Sequence, residues 1–159
     1  MKGECRAHGH LGAVHLSLGN FIHATKCYSE QLASALDVKD AELEAAAHGN
    51  LGLTKSGLGR HEEAIGCFEA QLAALQQREA SANGQSAVEI ERARAFGNLG
   101  GCYEALSDHE EAVKCHEQYL ALALKAKAVK DQARAYRELG LAHKNLGNLQ
   151  QALVSEERV

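Results

Sequence analysis

Four Leu-Gly pairs recur along the chain at nearly constant spacing, 40, 48 and 40 residues apart. The pairs are Leu11-Gly12, Leu51-Gly52, Leu99-Gly100 and Leu139-Gly140. Around each pair, apolar residues recur at steps of three and four, which is the period of an amphipathic helix. A polar break follows, as at Ser107-Asp108, and then a second such pattern begins. The sequence therefore predicts a repeated helix hairpin that fills most of the 159 residues.

Hairpins of this size cannot bury both of their faces alone, so they are expected to stack on one another. The fold class that we predict is all-α, a right-handed α-solenoid of antiparallel helix pairs with about four repeats. The expected units are residues 3–38, 39–80, 88–129 and 130–159, the last truncated in its second helix. The additional residues between the second and third units are loop-like in composition, so a longer loop is expected at 79–88.

Turn and capping residues predict where helices begin and end. Gly19 followed by Asn20 predicts a helix end and an N-cap, Asp40 a further N-cap, and Asp108 with Glu111 a capping box. Val129-Lys130-Asp131 repeats the letters of the turn at Val38-Lys39-Asp40. The fourth unit is therefore expected to have a first helix over 132–146, ended by Gly147-Asn148.

The composition and charge of the chain exclude some classes of partner. Proline is absent and β-branched residues are few, which favours helix throughout. The net charge of −4 provides no basic field for nucleic acid. Because no apolar run approaches the roughly 20 residues of a membrane span and no signal peptide follows Met1, no membrane partner is expected and a cytoplasmic location is predicted.

Cysteine and histidine recur at the repeat period, which favours packing over chemistry. Cys27, Cys67 and Cys115 take the same place in successive units, as a small apolar residue would. Seven of the nine histidines replace aromatic residues of the repeat: His8, His15, His48, His61, His109, His116 and His143. Two Cys/His pairs have helix spacing, but each supplies only two of the four ligands that a closed zinc site needs. We therefore predict no metal, no cofactor and no catalytic residue, and a lowered pKa for the partly buried imidazoles.

The order within each unit is aromatic or His, Leu-Gly, aromatic or His, Leu-Gly, then Ala, aromatic and Leu, with a few exceptions. This pattern resembles the tetratricopeptide repeat family. The resemblance implies a non-enzymatic scaffold whose first helices line a concave groove that binds a protein or peptide. The 40-residue unit is similar to that of spindle-orientation adaptors and kinesin light chains. This likeness implies a piece of a larger multi-repeat protein with a role in cell division or the cytoskeleton, located at the spindle or another cytoskeletal structure.

The expected groove is the face of each first helix opposite the Leu-Gly stripe. Its predicted binding residues are Arg6, His10, Asn50, Leu53, Arg94, Asn98, Gly101, Arg134, Arg137, Glu138 and Leu141. Amide side chains can donate to and accept from a peptide backbone, and guanidinium groups favour carboxylates. These residue types predict an acidic linear motif.

Two alternatives stand beside that interpretation. The arginines could pair with Glu138, Glu89 and Glu91 and only solvate the face. The chain could also be a self-assembling array that stacks end to end, since the last helix lacks its aromatic residue near Glu156 and an apolar end should be exposed.

Overall fold

A computed structural model describes the backbone of residues 2–79 and 85–157 and the side chains of residues 2–78 and 87–150. These ranges form seven α-helices and no strand. The helices are α1 (Lys2–Ser17), α2 (Phe21–Asp37), α3 (Ala41–Gly57), α4 (His61–Glu79), α5 (Gln85–Ala105), α6 (His109–Lys125) and α7 (Val129–Glu157). Each helix packs against the next along the series, so the predicted all-helical solenoid is confirmed.

Five turns within the described residues share one geometry. In each, a left-handed residue ends the helix: Gly19, Lys39, Gly59, Ser107 and Lys127, with φ between 51° and 78°. The next amide then donates to the carbonyl five residues back, which is the Schellman pattern. Asp40 accepts from the amides of Glu42 and Leu43, so its predicted N-cap is confirmed.

The other two predicted caps are only partly correct. The Asn20 side chain makes no capping hydrogen bond. Asp108 accepts from the Glu111 amide, but its own amide donates to the Tyr103 carbonyl and the Glu111 carboxylate binds Lys114. The capping box is therefore half formed.

Close helix crossing inside each hairpin depends on the glycine of the Leu-Gly pair. A Cβ on Gly12 would lie 2.6–2.9 Å from the ring of Tyr28, and a Cβ on Gly52 equally close to Phe68. The place of these rings is taken in the third hairpin by His116, against Gly100. A second glycine row, Gly9, Gly49 and Gly97, faces Gln31, Gln71 and Tyr119 in the same way. We did not predict this second row, although its members recur at the same spacings.

The leucine of each pair joins one hairpin to the next. Leu51 packs in a cluster with Ala24 and Tyr28 of the preceding helix α2. Leu99 packs in the same way with Ala64 and Phe68 of α4. The core is therefore a row of small clusters along the stack, as expected for a solenoid in which each unit contacts its neighbours.

The stack has an inner and an outer side. Among the described residues, α1, α3, α5 and α7 each contact the next member of that series, whereas α2, α4 and α6 do not contact one another. The first helices of the hairpins are thus closer together than the second helices. The solenoid consequently curves with the first helices on its inner face and the second helices on its outer face.

The fourth unit differs from prediction. The turn before it lies at Ala126-Lys127-Ala128, so Val129-Lys130-Asp131 is the first turn of α7 and not a copy of the Val38-Lys39-Asp40 turn. The expected helix end at Gly147-Asn148 is wrong, because α7 continues through it to Glu157. No described atom comes within 4 Å of a Cβ placed on Gly140, unlike the glycines of the first three Leu-Gly pairs.

Helices cover both ends of the expected loop at 79–88. Helix α4 extends to Glu79, and α5 begins at Gln85. Residues 80–84 of the predicted loop lie outside the described residues.

Histidine burial matches the packing interpretation only in part. His116 is fully buried, and five of the other six aromatic-position histidines are half-buried. His143 is exposed, so the packing role predicted for it is wrong. Its face of α7 has no following helix among the described residues, which removes the partner that it needs. Burial lowers the pKa of His48 and His116, as predicted for buried imidazoles.

Candidate functional site

We use the term inner face for the side of α1, α3, α5 and α7 that carries the predicted groove residues. All of them are exposed or half-buried. In α3 the inner-face residues Asn50 and Leu53 lie opposite His48, Leu51 and Lys55, because one turn takes 3.6 residues. The geometry therefore presents the predicted set to solvent on successive, contacting helices.

Two amides and two leucines form the middle of this face. Asn50 and Asn98 are half-buried on α3 and α5. Leu53 and Leu141 are 44% and 53% exposed, and the space above Gly101 is open. An apolar surface with half-buried amides can take up a peptide, since the amides satisfy backbone groups while the leucines bury side chains.

A network that we did not predict connects α5, α6 and α7 at one end of the inner face. The Arg94 guanidinium donates to both carboxylate oxygens of Asp131, at 3.2 and 3.3 Å. The Tyr119 hydroxyl donates to the same carboxylate at 2.8 Å. Asp131 is buried, so these three donors supply the hydrogen bonds that its desolvated charge needs.

Hydrogen bonds and burial determine the charge states of Asp131 and Tyr119 in this network. The hydrogen bond from Arg94 lowers the pKa of Asp131, against the effect of burial. Burial and the bond to Asp131 raise the pKa of Tyr119 to about 12. At neutral pH the carboxylate is therefore ionised and the phenol is neutral. The network holds the start of α7 against the third hairpin.

The other inner-face arginines share a single carboxylate. Arg134 Nε and Arg137 Nη2 lie 3.8 and 3.9 Å from Glu138 Oε1. The Arg134 guanidinium carbon also lies 5.9 Å from the centre of the Tyr119 ring. Both arginine side chains keep about half or more of their surface in solvent, at 47% and 70%.

The alternative interpretation, in which the arginines pair with neighbouring acidic residues, holds for part of the inner face. Arg134 and Arg137 lie beside Glu138 as that alternative states. Arg94 pairs with Asp131, whereas Glu89 binds Lys125 and Glu91 binds Arg78. Of the predicted inner-face arginines, Arg134 and Arg137 therefore share one carboxylate, whereas Arg94 pairs with Asp131.

Cysteine chemistry follows from burial. Burial raises the pKa of Cys5, Cys67 and Cys102, and raises that of Cys115 to about 11. Neutral thiols in apolar surroundings pack as small hydrophobic groups. Within the described ranges, no group of three or more His, Cys, Asp or Glu residues could hold a metal ion.

A curved stack of helix hairpins with a small residue at each crossing defines an α-solenoid. Within that class, the chain belongs to the tetratricopeptide repeat family, whose model matches residues 3–77 and 91–159. The fold of this family suggests a scaffold for protein–protein interaction.

Several solved structures are similar to this chain. The TPR domain of Arabidopsis FLU is 28% identical over 76% of this chain and 94% of that structure, with a TM-score of 0.65. BtubC (BKLC) from P. vanneervenii is 21% identical over 97% of this chain, with a TM-score of 0.78, and the apo form of RapI is 15% identical over 96%, with a TM-score of 0.80. The chain spans 61% and 53% of those last two structures, and at these identities they show the fold alone.

The search among curated proteins found no match. Among the described residues, no helix has both the length and the apolar content that crossing a membrane requires.

Proposed function

We propose that the inner face binds an extended segment of a partner protein across α3, α5 and α7. The observation that carries the proposal is the pair of half-buried amides on α3 and α5 beside exposed leucines on α3 and α7, since these helices contact one another in series. Asn50 and Asn98 occupy equivalent positions of successive repeats, so one extended chain that crosses α3 and α5 meets both amides. Leu53 and Leu141 supply apolar surface that such a segment covers.

An acidic residue in the bound segment is the second part of the proposal. Arg134 and Arg137 share the single carboxylate of Glu138, and Arg137 is more exposed than Arg94 and Arg134, so Arg137 provides a partner for a carboxylate of the segment. We expect the acidic preference to be modest, because Asp131 and Glu138 already share these guanidinium groups.

Peptide selection tests the groove directly. A random peptide library displayed on phage is selected on the whole chain, and the selected peptides are measured by fluorescence anisotropy. We expect the selected peptides to be enriched in Asp and Glu. We expect the double variant Asn50→Ala, Asn98→Ala to weaken binding about tenfold, since each lost hydrogen bond contributes about 0.5–1.5 kcal/mol. Arg137→Glu is expected to remove the acidic enrichment.

Matched changes on the outer face provide the control. Gln76→Ala with Gln118→Ala removes two exposed amides from α4 and α6, and Lys114→Glu reverses an exposed charge on α6. These variants should bind as the unmodified chain does. Equal loss in both sets, or no loss in the inner-face set, would contradict the groove. Arg94 is avoided because Arg94→Glu would place a carboxylate beside buried Asp131 and destabilise α7.

The wider role rests on a resemblance in sequence. Segments such as GECRAHGHLG, RARAFGNLGGCYEALSDHEEAVKCHEQYL and LGNLQQALV are similar to a stretch of tetratricopeptide repeat protein 28. On this likeness we propose that the chain is a scaffold of the cell-division or cytoskeletal machinery and is located in the cytoplasm, at the spindle. Fluorescent tagging in dividing cells tests it, and a signal that never joins the spindle or cytoskeleton would reject this role.

End-to-end association is a second candidate that one observation favours. Leu11 and Val14 on α1 are 50% and 53% exposed, whereas Leu51 and Thr54 at the equivalent positions are buried by the preceding hairpin. A second copy could cover that stripe as a preceding repeat does. Light scattering after size exclusion should then show a mass that rises with concentration, and Leu11→Lys should restore the monomer. A constant monomer mass would exclude stacking.

A further inference from the structure

The outer side carries a cleft of about 540 Å³ between α2 and α4, with α3 as its floor. Thr25 and Ser29 line it from α2, and His48, Leu51 and Lys55 line it from α3. The α3 residues lie on the side of the helix opposite Asn50, so the cleft and the inner face are separate surfaces. Any occupant of this cleft is therefore independent of the inner-face function.

We use the word interval for the space between the second helices of two successive hairpins. The next interval of the same protein shows which side chains fit the cleft. The equivalent space between α4 and α6 is taken by this chain's own side chains. Ile65, Phe96 and Tyr103 stand where the cleft has Thr25, His48 and Lys55, and they pack against the Phe68–Leu99 core cluster. Because the backbone repeats, the smaller and more polar residues of the first interval leave unfilled a volume that an aromatic group occupies in the second.

The walls of the cleft combine an apolar floor with a cationic edge. Leu51 is 5% exposed at the bottom and packs with Leu32 and Cys67, so the floor is apolar. Burial lowers the pKa of His48, which leaves a neutral ring at pH 7 that can stack on an aromatic group.

At the edge, two cations share one carboxylate. Lys55 Nζ lies 3.7 Å and Arg60 Nε 3.8 Å from the oxygens of Glu63. Both distances exceed the 2.7–2.9 Å or so of a tight charge-assisted bond. A second carboxylate would complete the charge balance at this edge without displacing Glu63.

We propose that this outer cleft is a docking site for a partner-protein segment in which an aromatic residue is followed by an acidic one. The aromatic ring enters the volume that Phe96 and Tyr103 fill in the next interval, and the carboxylate meets Lys55 and Arg60. The site allows the scaffold to hold one partner on its outer side while the inner face is engaged.

Chemical-shift titration of the ¹⁵N-labelled chain tests the proposal. The probe is the peptide acetyl-Gly-Phe-Asp-Gly-amide, which should give saturable shifts at the amides of Leu51, Lys55 and Cys67. Its Phe-to-Ala analogue should bind at least about tenfold more weakly, because the buried ring is lost. Its Asp-to-Asn analogue should bind about threefold more weakly, because the exposed ion pair is lost.

A filled variant provides the decisive comparison. Thr25→Ile with His48→Phe and Lys55→Tyr copies the residues of the next interval into the cleft. It should keep or raise the melting temperature and abolish the shifts, whereas the Asn50→Ala, Asn98→Ala variant should keep them. Absence of shifts up to the solubility limit of the probe would overturn the proposal. It would be overturned equally by shifts confined to the inner face, or by shifts that persist in a folded filled variant.

Discussion

Replacing Gly100 with alanine is expected to lower the free energy of unfolding by about 1–3 kcal/mol, even though alanine is the better helix former. The added methyl group would lie 2.6 and 2.8 Å from the two ring nitrogens of His116. His116 is fully buried, so its ring cannot turn into solvent. Helices α5 and α6 must therefore separate. Urea denaturation followed by circular dichroism measures the change.

The neighbouring glycine is a matched control. Gly101 is in the same helix, and nothing lies within 4 Å of the position that its Cβ would take. Gly101→Ala should therefore stabilise the protein by about 0.5–1 kcal/mol through lower backbone entropy in the unfolded chain. If the two alanine variants were equally stable, the close crossing of α5 and α6 at His116 would be wrong.

His116→Phe is expected to stabilise the protein by about 1–3 kcal/mol at neutral pH and to reduce its loss of stability in acid. Neither ring nitrogen of His116 has a hydrogen-bond partner among the described residues, and phenylalanine removes that cost. Phe68 and Tyr28 occupy the same place against Gly52 and Gly12, so the hairpin accommodates a six-membered ring there.

The direction of the pH effect follows from the pKa of His116. Burial lowers this pKa below its unfolded value of about 6.5, against the raising effects of Glu138 and Glu104. Protonation therefore favours unfolding. The contribution of His116 is fully present above about pH 6.5 and is lost as the pH falls through the lower, folded pKa.

Melting temperatures measured from about pH 7.5 to 5.5 test this dependence. The unmodified chain should lose more stability across that range than His116→Phe does. His143→Phe, at an exposed position of α7, should follow the unmodified chain. Parallel curves for the unmodified chain and His116→Phe would show that the His116 ring is protonated without cost in the fold.

Features that recur at the repeat period could be predicted from the sequence. The Leu-Gly spacing indicated the solenoid, and the recurrence of Cys27, Cys67 and Cys115 indicated packing. In both cases the same physical environment appears several times, so each copy supports the others. The predicted inner-face residues are exposed or half-buried for the same reason, because helix periodicity separates them from the buried stripe.

Features that occur in only one repeat could not be predicted from the repeat pattern. Arg94 and Asp131 are 37 residues apart, and no other repeat carries the pair with a tyrosine at the place of Tyr119. Agreement in three letters placed Val129-Lys130-Asp131 in a turn, whereas the register set by the Leu-Gly pairs places the turn at Lys127. The outer cleft likewise arises from side-chain size at a few positions, which a helix pattern does not contain.

One tripeptide of this chain adopts two conformations. Leu18-Gly19-Asn20 closes the first hairpin with Gly19 at φ 76°, whereas the same letters at Leu146-Gly147-Asn148 lie inside α7. The three residues are identical, so the difference between the two conformations arises from residues outside the tripeptide. At the position of Tyr28 the fourth unit has Glu156, which has no ring to place on Gly140. Turn residues alone therefore do not determine hairpin closure in this array, since the same three letters form a turn in the first unit and part of a helix in the fourth.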